Sequence, residues 1–340
     1  MNTLKKGLSV VVCCYNSAQL LPKTLQHLAN QKTTVAFKWE LIIVNNNSTD
    51  GTASLAKQIW KTYNTSVSLR VVNEEQSGLS FARERGMHEA VYDTVVWCDD
   101  DNWLCDNYLQ TAYTIMDSNS DIGALGGWCE AAFETEKPSW FDTQSKYVAV
   151  SKQGKKSGDI TNKKGCVYGA GMVLRKSHWL QLKKIGFKNL LSDRVGKKLS
   201  SGGDTEYCYA LRLAGYKIWY DQRLFFKHFM SSERLQLQYI SKMRKAMAYS
   251  NFILWPYLDL LQEQPKSKSD ILKRGFKGGV IKLLKKSVAF LIGTFEQREV
   301  AKRYFRQLYY CIFYYKVYEK NLKFLKSWVP NSILTKRPTI

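Results

Sequence analysis

Three adjacent aspartates, Asp99, Asp100 and Asp101, close the apolar run VVWC and are the sharpest chemical signal in the chain. Carboxylates packed side by side repel one another, and grouping them at the end of a buried strand is costly unless a cation shares the site. A divalent ion is the natural partner; the bland alternative is a solvated acidic turn. The spacing is not that of an EF-hand loop, which would need glycine at its sixth position and glutamate at its twelfth. A second acidic site follows where Ser201-Gly202-Gly203 gives way to a helical pattern carrying Asp204 and Glu206, whose charges gain from the helix N-terminal dipole. Taken alone, Asp204 reads as a helix cap. Beside a metal site it acquires a second reading, because transfer to a hydroxyl needs a base distinct from the metal ligands. His228, at the end of a further apolar stretch, has the chemistry to complete an Asp/His metal shell.

The elements that must hold these residues follow from the pattern of the chain. LSVVVCCY, WELIIV, LRVV and DTVVWC are continuous β-branched runs too short for helices and read as buried strands. Between them SAQLLPKTLQHLANQ, DGTASLAKQIWKTY and GLSFARERGMHEAV read as helices, the second with Ser48 or Asp50 as N-cap. Such alternation implies an α/β fold, a mostly parallel sheet with helices on both faces that binds ligands at the carboxyl ends of its strands. Residues 126 to 175 are richer in Gly and Lys, with GKKSGDITNKKG an exposed loop or hairpin and KGCVYGAGMVL a return to a buried strand. HWLQLKKIG and DTEYCYALRLAGY read as helices, the latter closed by Gly215, and KIWYD as a strand. No P-loop and no G-x-G-x-x-G follows the first strand, which removes the main support for Walker-type ATPase or dinucleotide chemistry.

Charge separates the chain into two parts. The formal charge of +22 is carried unevenly: residues 1 to 230 hold 29 basic and 22 acidic side chains, residues 231 to 340 hold 22 and 7, together with 18 of the 45 aromatics. A nucleic-acid binder should spread its charge over the folded body, and the RRM, KH and zinc-finger signatures are missing, so no nucleic-acid partner is expected. The eight cysteines form neither a disulfide framework nor a CxxC pair, which points to a reducing compartment. No stretch reaches the roughly 18 to 20 apolar residues of a membrane-spanning helix.

Taken in order, these segments resemble the family 2 glycosyltransferases, which have the GT-A fold. SVVVCCYN resembles the opening strand, LIIVNNNSTDGT the second-strand turn usually written V-D-D-G-S-T-D-G-T, GLSFARERGM the A-R-N-x-G helix, WCDDD the D-x-D metal motif and GGDTE the motif that supplies the base. The match runs over residues 8 to about 230. It implies a nucleotide-sugar donor bound over the first half of the sheet, a Mg²⁺ or Mn²⁺ ion on Asp101 with Asp99 of the same motif, and inverting attack by an acceptor hydroxyl, to which the residue chemistry adds His228 as an assisting metal ligand. Carried over by position, Cys14, Tyr15, Asn16 and Asn46 contact base and ribose, Asp99 the ribose with Asp100 beside it, and Arg83 the nucleotide. Asp204 becomes the base, with Glu206 its rival because Gly203 stands where an acid is usual. Asn45-Asn46 replaces the usual acidic pair of the second-strand turn; its amide oxygen can accept from uracil N3, although its NH₂ could serve another base, so UDP is the expected carrier. The Q-x-x-R-W motif of processive synthases is absent after Asp204, which implies addition of a single sugar.

Trp128 and Trp140 fall where such enzymes build the acceptor site, and aromatic faces stack on sugar rings, although tryptophans are also simply packed. The resemblance divides the chain into a catalytic domain, 1–232, with a nucleotide-sugar half (1–125) and an acceptor half (126–232), and a basic helical region, 233–340. The expected setting is bacterial surface polysaccharide or glycolipid assembly, with a glycan or lipid-linked acceptor; sugar transfer to a lipid phosphate is the rival. In the basic region Ala301, Tyr304, Phe305, Leu308, Cys311, Ile312, Tyr315, Tyr318, Leu322 and Leu325 fall on one helical stripe, and Val280, Leu283, Leu284, Val288 and Leu291 on another. These stripes either pack on the protein or lie on an anionic membrane surface. A cytoplasmic enzyme, peripheral on the inner face of the cell membrane, is the expectation.

Overall fold

The structure, a computed structural model, describes residues 5–34, 37–195, 200–262, 267–284 and 293–329, with side chains described as far as Phe276 and again from Gly293. Strands β1 (Lys5–Cys14), β2 (Trp39–Asn45), β3 (Leu69–Asn73) and β4 (Tyr92–Asp99) are mutually parallel. Helices α1 (Leu21–Ala29), α2 (Thr52–Thr62) and α3 (Leu79–Glu89) make the connections. In β1, Val10 and Val12 enter one core and Val11 the other, as the two-residue period requires of a strand covered on both faces. After β5 (Asn102–Leu104) and α4 (Tyr108–Ser118) the chain runs through β6 (Ile122–Phe133). It continues through α5 (Phe141–Gln144), a 3₁₀ turn at Ser145–Val148, β7 (Gly158–Asp159) and β8 (Val173–Arg175). Next come α6 (Lys176–Lys184), α7 (Gly203–Leu213) and β9 (Lys217–Met230). The sheet order is β3-β2-β1-β4-β8-β6-β9-β5, with β7 on β9; β8 is antiparallel to both neighbours, so the sheet is largely but not wholly parallel.

Several local expectations change. The N-cap of α2 is Gly51, in the left-handed region, while Asp50 Oδ1 accepts from the Thr52 N–H just inside the helix. GKKSGDITNKKG carries the two-residue β7, and the Gly-rich start of residues 126 to 175, for which the sequence suggested no element, belongs to β6, which runs through it to Phe133. Its glycines mask the strand pattern for a steric reason: a Cβ at Gly127 would collide with the Leu224 carbonyl of β9. KGCVYGAGMVL contributes only Val173 and Leu174 to the three-residue β8, whereas KIWYD grows into the 14-residue β9. Gly215 does close α7, at φ +89° with its N–H on the Arg212 carbonyl.

The helices after β9 join the body. They are α8 (Leu237–Ile253), α9 (Trp255–Leu261), α10 (Lys268–Leu284), α11 (Phe295–Phe313) and α12 (Tyr315–Trp328). Tyr257, Ile271, Cys311, Tyr318 and Leu325 are buried in the same core as Val11 and Trp97. The long stripe is broken at Tyr314, between α11 and α12, and it splits by face: Ala301, Cys311, Tyr318 and Leu325 point inward, Phe305 and Ile312 outward. The second stripe, Val280 to Leu291, lies outside the residues with described side chains.

Candidate active site

Parallel register gathers the chemistry. β1 pairs with β4 so that Cys13 lies beside Asp99, and with β2 so that Cys14 lies beside Asn45; the three carboxyl ends therefore form one rim. Arg83 reaches this rim because α3 lies close against β1. Gly86 permits that approach, since a Cβ there would strike Val11. The guanidinium stacks 4.6 Å from the Trp97 ring and lies 3.3 Å from Asp193 and 3.7 Å from Asp99. From the other side of the sheet, β9 pairs with β5 so that His228 faces Asn102. The result is a cleft of ≈ 430 Å³ lined by Cys13 to Asn16, Asn46, Arg83, Asp99 to Asp101, Asp204 and His228, among others.

Within the acidic turn the three carboxyls differ. Burial would raise both Asp100 and Asp101. For Asp101 that effect is reversed by Arg234, 2.7 Å away, whose guanidinium holds its carboxyl well below the usual range, and His228 Nε2 lies 3.4 Å from its other oxygen. The fixed charge of Asp101 adds to burial in pushing Asp100 up, and Ser17 donates a hydrogen bond to Asp100. Asp99, the last residue of β4, is half-buried and faces Arg83.

Asp204 opens into the cleft at the first turn of α7. Its carboxylate accepts from the backbone N–H of Gly169 and of Thr205, both at 2.7 Å, so its orientation is fixed from below. Glu206 is not in the cleft: it is fully buried, accepts from the N–H groups of Leu190 and Leu191 and from the Tyr257 hydroxyl, and is pushed up to about 7 by burial. Asp193 carries the acid that the sequence lacks at Gly203. It approaches from a preceding loop at φ +53°, and a Cβ on Gly203 would collide with its carboxylate. Sequence spacing alone could not show that pairing, since Asp193 sits in an unpatterned loop.

Other expected residues are placed differently. Asn46 lines the cleft, but its NH₂ donates to the Glu74 and Gln76 carbonyls and its oxygen accepts from Gly78 N–H, so it shapes the 74–78 loop. Cys14 is buried, Tyr15 is exposed, and Asn16, at φ +52°, accepts from Thr49 N–H. Trp128 and Trp140 do not line the cleft; Trp128 donates to the Gln222 carbonyl and packs on Phe225, and Trp140 leans on Phe141. The aromatic side chains that line the cleft are Tyr15, Tyr147, Tyr168 and Tyr239 instead. Tyr239, Met243, Met247, Ser250 and Asn251 come from α8, so the region after residue 232 supplies a side of the cleft.

Asp101 and His228 suit a hard divalent ion, one offering carboxylate oxygen and the other imidazole nitrogen. Among the described residues no group of three such side chains could hold an ion, so two protein ligands would leave the remaining positions to phosphate oxygens and water.

Residues 9–179 match the family model described as glycosyl transferase family 2. Over 119 residues the chain is 29% identical to a cholesterol galactosyltransferase of Borreliella burgdorferi, covering 35% of this chain and 32% of that protein. Over 131 residues it is 28% identical to the uncharacterized glycosyltransferase YibD of Escherichia coli, covering 38% and 36%. The chain thus spans about a third of the length of these two curated relatives. Among solved structures, residues 1–349 of S. aureus TarS superpose with a TM-score of 0.52 at 16% identity, over 95% of this chain and 91% of that one, a likeness of fold.

Proposed function

The chain belongs to the family 2 glycosyl transferases, and from that premise we propose that it is an inverting, single-addition transferase that moves a sugar from a nucleotide-sugar donor to an acceptor hydroxyl. The observation that carries this reading is the meeting of two groups of residues in one cleft: Arg83, Asp99 and Asp101 from the carboxyl ends of the parallel strands, and Asp204 from α7. The donor lies over the first group with its diphosphate toward Arg83. Asp204, held by two N–H groups, accepts the proton of the incoming hydroxyl as the nucleoside diphosphate departs. Asp101 and His228 would hold a Mg²⁺ or Mn²⁺ ion, which when bound neutralises charge developing on the leaving group. The basic side chains already at the cleft, Arg83, Arg194 and Arg234, contribute to the same neutralisation.

A lipid-linked or glycan acceptor enters from the side formed by Tyr147, Tyr168 and α8. One supporting point is a relative whose name gives it a lipid acceptor, cholesterol. Attachment to an anionic membrane belongs to the same proposal. Phe305, Tyr309, Ile312 and Phe313 stand exposed along one side of α11, with Phe276 of α10 also exposed, in a segment rich in Lys and Arg.

The test is a screen of nucleotide sugars, UDP-sugars first, by thermal stabilisation and by turnover with wild type and Asp204→Asn. Stabilisation by a nucleotide sugar with loss of transfer in the variant is expected. Full transfer by Asp204→Asn would favour an already ionised phosphate acceptor, which needs no base, and no stabilisation by any nucleotide sugar would overturn the reading.

A further inference from the structure

Asp101 and His228 do not wait empty-handed in the cleft. Nη1 of Arg234 stands 2.7 Å from Asp101 Oδ2 and 2.9 Å from His228 Nε2, so one nitrogen bridges both. A guanidinium only donates, which makes Nε2 the accepting, lone-pair nitrogen and leaves the ring proton on Nδ1. That buried Nδ1 has no hydrogen-bond partner among the described residues. The lone pair that His228 would offer an ion is therefore the one that Arg234 now occupies, and the same holds for a carboxylate oxygen of Asp101. Arg234 lies in the turn between β9 and α8, outside regular structure, with its side chain 19% exposed toward the cleft.

We propose that Arg234 is a resident cation at the Asp101–His228 pair, which it releases to a divalent ion only when a nucleoside diphosphate offers the guanidinium a better anion. A permanently charged fork matches a diphosphate in two hydrogen bonds, and a diphosphate supplies the further oxygens that a two-ligand ion site lacks. Ion and nucleotide thereby bind with positive coupling, each tightening the other by the same factor. Arg234 acts here as a positioning residue. The inference rests on the donor reading above, in that the anion drawing it away is the donor's diphosphate.

The experiment measures Mn²⁺ binding by the electron paramagnetic resonance of the free ion, with and without UDP, for wild type, Arg234→Gln, Arg234→Lys and Arg194→Gln. Without UDP, Arg234→Gln is expected to bind Mn²⁺ about tenfold tighter than wild type, within the usual range of coupling between sites. Arg194→Gln removes a nearby charge without touching either ligand and should tighten binding far less. Arg234→Lys keeps the charge, stays weak and serves as the folded comparison. With UDP, wild type should tighten strongly and Arg234→Gln little. Equal or weaker Mn²⁺ binding by Arg234→Gln, or an equal gain from Arg194→Gln, overturns the inference. Failure of UDP to bind any form would instead overturn the donor reading, while the nucleotide-free comparison would still decide the role of Arg234.

Discussion

Asp204 and Glu206 stand two residues apart on α7 and have opposite surroundings. Asp204 is anchored by Gly169 and Thr205 yet open to the cleft, so Asp204→Asn should leave nucleotide affinity nearly intact and slow the chemical step by roughly 10² to 10⁴. Pre-steady-state measurement beside equilibrium binding separates the two. Glu206 reads differently. Its proton affinity rises from 4.5 in the unfolded chain to about 7 in the fold, so the native state holds the extra proton between those values. Its contribution to stability is whole below about pH 4.5 and is lost as pH rises to about 7, by up to about 3 kcal/mol. In Glu206→Gln the fall in unfolding free energy over that interval should shrink relative to wild type; an unchanged slope in denaturant titrations would refute this. The acidic turn and Asp204 were legible in the sequence because like charges crowded at a strand end repel unless a cation holds them, and a carboxylate at a helix start is held by the dipole. Asp193 and Arg234 were not, since each acts through the fold from a loop or turn with no pattern of its own.

At the level of elements, α3 is set by one missing methyl. Gly86 rests on Val11 of β1, and Gly86→Ala must either push α3 off the sheet or displace Val11, at about 1–3 kcal/mol. Because Arg83 rides on the same helix, the variant should also lose nucleotide affinity, which calorimetry on the folded variant would show; normal affinity at reduced stability would mean that Val11 alone gives way. The first four strands and their helices were readable from hydrophobic period. The latter half was less so. β6 hides behind Gly123, Gly126 and Gly127, whose absent side chains admit the backbone and side chains of neighbouring elements, and β8 is too short to make a pattern. The stripe of α11 and α12 was visible as an apolar face, but which residues turn inward depends on the break at Tyr314, where no proline or glycine marks it.

On the scale of the molecule, no helix among the described residues is long and apolar enough to cross a membrane, yet Phe305 and Phe313 are more than half exposed. The double variant Phe305→Ser, Phe313→Ser should therefore fold as wild type and lose flotation with anionic vesicles. Wild type should detach as salt rises, since screening shortens the reach of its charges to about 8 Å at physiological strength. Equal flotation with neutral vesicles, or self-association that the double variant abolishes, would assign this face to another partner. The wall that α8 gives the cleft also bears on the order of events at the ribosome. Arg244 of α8 is buried, and it finds Gln144 early but Glu296 and Glu299 only when α11 has been made. A nascent chain has its donor rim long before that guanidinium is neutralised, and an unpaired buried charge keeps its helix from docking. Competence to bind an acceptor should then arrive late in synthesis: chains stalled before residue 296 would leave α8 open to protease, and those released would protect it.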